Sequence, residues 1–133
     1  MIVVDTNILI HFWLPTDRNE LIDELYIKDS IWIAPLLWKS EFRNVILLYL
    51  RKEIIHEAAA HSLMEKVETQ MKGRELTVKS FDVISQALRS DCSAYDCEFI
   101  TLATETETKL VTFDKKILRQ YPNLGISPID FVT

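Results

Sequence analysis

Glycine occurs twice and proline four times in 133 residues, which leaves no material for a flexible linker, a low-complexity tract or a collagen-like repeat. Cysteine is equally sparse. Cys92 and Cys97 are too few for a disulfide framework and are not spaced as Cys-x-x-Cys, so they read as reduced, small, buried thiols. No apolar run approaches the roughly 20 residues of a membrane span. The apolar start MIVVDTNILIHFWLP carries Asp5 and lacks a basic leader and a small-residue cleavage site, which predicts a first strand and a cytoplasmic protein. Excess positive charge is missing too. A net charge of −5 argues against nucleic-acid binding by bulk attraction, although bound cations would offset acidic charge locally. Only three histidines are present, and His11, His56 and His61 share no metal-ligand spacing. His56 and His61, five apart on one predicted helix, fall on different faces.

What remains is the composition of an ordinary globular chain, 48% hydrophobic and 26% charged, long enough for one domain over residues 1–133. Ile2 to Val4 is a β-branched run without alternation, as in a parallel strand covered on both faces. Thr6 to Trp13 has helical spacing and Pro15 stops it. A helix over Asp17 to Tyr26 follows, with Thr16 as its cap. Ile31 to Ile33 reads as a strand ended by Pro35. Leu36 to Lys52 reads as a long helix with Leu37, Val45, Leu48 and Tyr49 on its apolar stripe. Ile54 to Lys72 is a second long helix, closed by Gly73. Then come a short strand at Glu75 to Val78, a helix at Phe81 to Arg89 and a helix at Ala94 to Thr104 opened by a Ser93/Asp96 capping box. A strand at Leu110 to Thr112, a helix at Lys115 to Gln120 and a last strand around Ile126 and Ile129 complete the chain. Strands alternating with helices predict an α/β three-layer sandwich with a central, mainly parallel sheet.

Four carboxylates interrupt or end segments that otherwise read as buried: Asp5 in IVVDTNILI, Glu41 in LLWKSEFRNVI, Asp96 in SAYDCEFITLA and Asp114 in KLVTFDKKIL. An acidic group beside a core is costly unless a positive charge compensates it. Asp5 and Asp114 follow predicted strands, and ligands of open parallel sheets bind beyond the carboxyl ends of strands. Glu41 and Asp96 lie in the first turns of predicted helices, where the helix dipole favours an anion. Converging there, the four would raise one another's pKa unless a cation were bound. Hard Mg²⁺ or Mn²⁺ suits such an oxygen-only set and makes water a better nucleophile toward phosphorus. Asn7 and Thr112 are placed to orient carboxylates or waters.

Each position also has a plainer reading. Asp5 ends a strand in a turn, Asp114 caps the next helix, Asp96 pairs with Ser93, and Glu41 is a solvated helix residue. These readings fit worst for Asp5 and Asp96, which are embedded in apolar sequence. Asp17 and Asp91, the nearest competitors, sit in polar turns. Lys115, Lys116 and Arg119 follow Asp114 and are weak candidates for phosphate contact, against a solvated basic face. Lys39 and Arg43 flank Glu41 but point largely away from it. Trp13, Trp32 and Trp38 read as core or interface anchors rather than base-stacking platforms.

The stretches VVDTNILI, PLLWKSEFRNVILL, SAYDCEFITLA and KLVTFDKKIL, in that order, resemble PIN-domain ribonucleases, and among them the VapC toxins of type II toxin–antitoxin pairs. The resemblance covers nearly the whole chain. It implies a PIN-like fold and a Mg²⁺- or Mn²⁺-dependent endoribonuclease with metal ligands at Asp5, Glu41, Asp96 and Asp114. It further implies a homodimer and a small antitoxin that blocks the active site. A housekeeping PIN nuclease of RNA processing and a non-catalytic PIN-like binding domain are the alternatives within the same resemblance. A phosphotransfer protein with an aspartyl nucleophile is a rival of another class, disfavoured because Asn7 stands where a second acid is needed.

Overall fold

In the computed structural model, which describes residues 1–133, Ile2, Val3 and Val4 form β1 (Ile2–Val4) and all three are buried. Both neighbours of β1 run parallel to it: β2 (Trp32–Pro35) on one side and β4 (Leu110–Val111) on the other. The two-residue strands β3 (Glu75–Leu76) and β5 (Gly125–Ile126) extend the sheet beyond β2 and β4, also in parallel. The order is β3-β2-β1-β4-β5. The chain thus winds outward from β1 to β3 and restarts on the other side of β1. The switch in winding direction falls between β1 and β4, where a crevice opens in such sheets.

Because the strand order reverses at β1, the right-handed crossover rule assigns the two halves of the chain to opposite faces. On one face α1 (Thr6–Trp13) packs against α2 (Asn19–Lys28), α3 (Leu37–Arg51) and α4 (Glu57–Met71). On the other, α5 (Ser80–Leu88) packs on α6 (Ala94–Thr106), which lies across β1, β2 and β4. The last helices are short: α7 (Lys115–Gln120) packs beside β5, and α8 (Pro128–Val132) returns to α2. The predicted three layers are present, and the sheet is parallel throughout. Trp32, Trp38, Phe42 and Phe99 are the bulkiest fully buried side chains, each contributing about 1.5–3 kcal/mol by removal from water.

Several expected boundaries move, each for a local reason. Residues 126–129 do not form a last strand. Only Gly125 and Ile126 pair, because Ser127 caps Asp130 N–H at 3.2 Å and Pro128 opens α8. Thr16 does not cap α2, which starts at Asn19. Its hydroxyl is taken by His11 Nδ1 at 2.8 Å and by Arg18 N–H at 3.2 Å. Pro35 does not stop β2 short but is its last residue, paired with Leu76. The buried stripe of α3 is Trp38, Phe42 and Ile46, whereas Leu47 and Leu48 face solvent. Helix α4 begins at Glu57 rather than Ile54, after a turn in which Glu53 has φ 58°.

Candidate active site

Asp5 N–H donates to Val111 O at 3.0 Å, so the residue stands at the carboxyl edge of the sheet between β1 and β4. Its side chain caps α1. Oδ1 accepts from Thr6 N–H at 2.7 Å, while Oδ2 accepts from Thr112 Oγ1 at 2.6 Å and Asn7 Nδ2 at 3.3 Å. Burial pushes the Asp5 pKa up to about 6 against the stabilising effect of the Thr112 and Thr6 bonds, and the charges of Glu41 and Asp96 push it the same way.

Thr112 is fully buried, and its hydroxyl also accepts Asp114 N–H at 2.9 Å. Asn7 Oδ1 in turn accepts Phe113 N–H at 3.4 Å. Asn7 and Thr112 therefore stitch the end of β1 to the segment after β4, with the Asp5 carboxylate at the centre of the seam.

Glu41 reaches the same place from α3. Buried Thr6 donates from Oγ1 to Glu41 Oε1 at 2.7 Å. Burial raises the Glu41 pKa, Thr6 opposes the rise, and the charges of Asp96 and Glu98 add to it. Asp96 arrives on the first turn of α6. Its backbone N–H donates to Ser93 Oγ at 3.0 Å, which is one half of a capping box. The reciprocal half is absent. The Asp96 carboxylate accepts no protein hydrogen bond, so capping leaves it free for other chemistry.

Asp114 does act as a cap: its Oδ1 accepts Ile117 N–H at 3.0 Å at the start of α7. Its charge is felt with that of Asp96 at buried Cys92, whose thiol pKa is raised mainly by burial. The structure thus draws Asp5, Glu41 and Asp96 into mutual electrostatic range and ties Asp114 to them through Thr112. No three His, Cys, Asp or Glu side chains close around a common point in this arrangement. The chemistry of the set still fits a hard divalent cation. Every donor is an oxygen, two of the three coupled carboxylates are held by hydroxyls, the third has no partner, and all would be relieved by positive charge.

The remaining sequence candidates scatter. Lys115 and Arg119 are exposed, and Lys116 Nζ turns to Asp91 O at 3.3 Å. Lys39 pairs with Glu75 at 3.6 Å and Arg43 with Glu68 at 4.0 Å, both away from Glu41. Asp17 and Asp91 are exposed. Trp32 and Trp38 are core residues, and Trp13 donates to Gln70 Oε1 at 2.7 Å. The cysteines are free and buried.

Three residues at the site escaped the sequence reading. Thr6 carried a signal, since a threonine between an acid and an apolar helix face must find a partner when buried. Glu98, two residues beyond Asp96, is raised in pKa by burial and acts on Glu41. Arg18 lies over the Phe113 ring at 4.1 Å, a contact across 95 residues that no local pattern announces.

Residues 2–123 match the PIN domain family. The chain belongs to that family. Ribonuclease VapC3 of Pyrobaculum aerophilum is 23% identical to this PIN domain over 128 residues, covering 92% of this chain and 96% of that one. The crystal structure of FitAcB from Neisseria gonorrhoeae resembles it with a TM-score of 0.72 at 16% identity, over 97% of this chain and 99% of that chain. At that identity the likeness speaks for the fold. The first segment of the match contains Asp5, Thr6 and Asn7, and its last third contains Thr112 and Asp114.

Proposed function

We propose that this PIN domain is a single-domain endoribonuclease dependent on Mg²⁺ or Mn²⁺, the toxin of a VapC-type toxin–antitoxin pair acting on cytoplasmic RNA. The observation that supports the reading is the electrostatic coupling of Asp5, Glu41 and Asp96 near the carboxyl end of β1, with the Asp96 carboxylate left unpartnered. Asp5, Glu41 and Asp96 would hold the cation, with the Asp114 oxygen that capping leaves free available to it. Bound there, it neutralises charge on the scissile phosphate and makes water a better nucleophile. Thr112 and Asn7 fix the rotamer of Asp5, and Thr6 fixes Glu41, so the donors are oriented before the ion arrives. The similarity to a protein named as a ribonuclease supports RNA as substrate.

Protein partners are supported by apolar surface. Phe81, Ile84 and Leu88 on α5 are 80%, 57% and 83% exposed, beside Tyr95 at 65%. A groove of about 900 Å³ between α3 and α4 is lined by Ile46, Leu47, Leu50 and Met64 among others. Apolar surface of this kind fits a homodimer and a small antitoxin. The test of the enzymatic reading is cleavage of unstructured RNA with Mg²⁺ and with EDTA, by the chain and by its Asp5→Asn and Asp96→Asn variants. Cleavage that needs both the ion and the two carboxylates supports it, and equal cleavage by the variants overturns it.

A further inference from the structure

A chain with net charge −5 must still receive a polyanion at an acidic crevice, and four of its nine lysines are occupied elsewhere. Besides the pairings of Lys39 and Lys116 already described, Lys109 Nζ donates to Asn123 O at 2.7 Å and Lys28 Nζ to Phe131 O at 2.5 Å. Lys115 and Arg119 are exposed and have no fixed partner, so ordering their long side chains on a substrate costs rotamer entropy.

Arg18 differs in being held in place while its donors stay open. Its guanidinium carbon is 4.1 Å from the centroid of Phe113, the residue between Thr112 and Asp114. The Phe113 backbone is fixed by the 3.4 Å bond from its N–H to Asn7 Oδ1, and its ring meets His11 edge-on at 5.2 Å. The backbone of Arg18 is fixed as well. Its N–H donates to Thr16 Oγ1 at 3.2 Å, and the next residue, Asn19, is stapled through its side chain to His11 O, Leu14 O and Thr16 N–H at 2.6, 2.8 and 2.8 Å. No carboxylate pairs with the guanidinium, and none of its N–H groups meets a protein acceptor. The ring contact uses no N–H donor in a hydrogen bond, so the guanidinium keeps its fork of donors for a phosphate.

Resting on the nuclease reading above, we propose that Arg18, shelved on Phe113, is a phosphate-binding residue that seats the RNA backbone at the rim of the carboxylate crevice. It contributes to affinity and register without reading sequence. An acidic segment of a protein partner is the competing ligand for the same fork.

The experiment measures kcat and KM for an unstructured RNA oligonucleotide in Mg²⁺ over a range of salt, for the unaltered chain, Arg18→Ala, Arg18→Lys and Phe113→Leu. Circular dichroism first confirms that each is folded. Arg18→Ala is expected to raise KM about tenfold with little change in kcat, and to flatten the salt dependence of log KM by about 0.7. Arg18→Lys keeps the salt slope but not the full affinity, and Phe113→Leu falls between, since it frees the guanidinium without removing it. A folded Arg18→Ala variant with unchanged KM and salt slope overturns the proposal while leaving the nuclease reading intact. Loss of binding to a co-expressed antitoxin without change in KM overturns it in favour of a protein contact. An unaltered chain that neither binds nor cleaves RNA overturns both.

Discussion

Thr6 Oγ1 donates to Glu41 Oε1 at 2.7 Å, joining the first residue of α1 to the second turn of α3 across 35 positions. The bond links the end of β1 to the helix that follows β2 and fixes a carboxylate that has no other protein donor. Thr6→Val keeps the β-branched shape and removes only the hydroxyl. It is expected to cost about 1 kcal/mol of stability and roughly 10–100-fold in metal affinity or activity. Thr6→Ser should restore most of both. Denaturant melts and Mg²⁺ titrations of the two variants check this, and a Thr6→Val enzyme of normal Mg²⁺ affinity would show that Glu41 needs no such support.

Asp5 makes metal-free stability depend on pH in an unusual direction. Its ordinary pKa of 3.8 rises to about 6 on folding, so between these values the native state binds the extra proton. The native state therefore loses stability as pH rises through that window, by up to about 3 kcal/mol from this group. Divalent ions should restore the loss at neutral pH, because they bind the ionised native form. In EDTA, Tm should fall between about pH 4 and pH 7 for the unaltered chain and change less for Asp5→Asn. Superimposable pH profiles of the two proteins would exclude this origin.

Ser93 and Asp96 divide two tasks that a full capping box would merge. Ser93→Ala should cost about 1 kcal/mol, since α6 loses the acceptor for Asp96 N–H. Asp96→Asn retains that backbone bond and should leave stability nearly unchanged. Its cleavage rate should nevertheless drop by about 10²-fold or more. Melting curves and rates for both variants separate the roles, and an unstable Asp96→Asn chain would return Asp96 to a structural one.

The exposed face of α5 gives a prediction about assembly. Phe81→Ser combined with Leu88→Ser removes the two most exposed large side chains there, 80% and 83% accessible, without touching the core. If this face holds the proposed homodimer, light scattering should report a dimer for the unaltered chain and a monomer for the double variant. A dimer that survives both changes must use another surface.

The fold was legible wherever a residue's neighbours in sequence were also its neighbours in space. The run Ile2 to Val4 announced a doubly covered strand, and Ser93 announced the start of α6. Long-range competition was not legible. Thr16 looks like a cap, but His11 and Arg18 claim its hydroxyl, and α2 starts three residues later. The tail after Ile126 has the β-branched pattern of a strand, yet Ser127 and Pro128 make a better helix start than a ladder. Of the candidate site, strand ends point to Asp5 and Asp114 and helix starts to Glu41 and Asp96, and Asn7 and Thr112 do hydrogen-bond the Asp5 carboxylate. Thr6, Glu98 and Arg18 depend on which elements meet. The cap of α7 uses Asp114 Oδ1, which leaves Oδ2 for the proposed ligand role.

The most direct test of a carboxylate-held metal centre is isothermal titration of Mn²⁺ into the metal-free protein, with RNA cleavage followed in the same samples. The account predicts saturable binding to the unaltered chain, binding weakened at least tenfold in Asp5→Asn and Asp96→Asn, and cleavage that rises with occupancy. Cleavage that persists in EDTA, or Mn²⁺ binding unaffected by both substitutions, would contradict it.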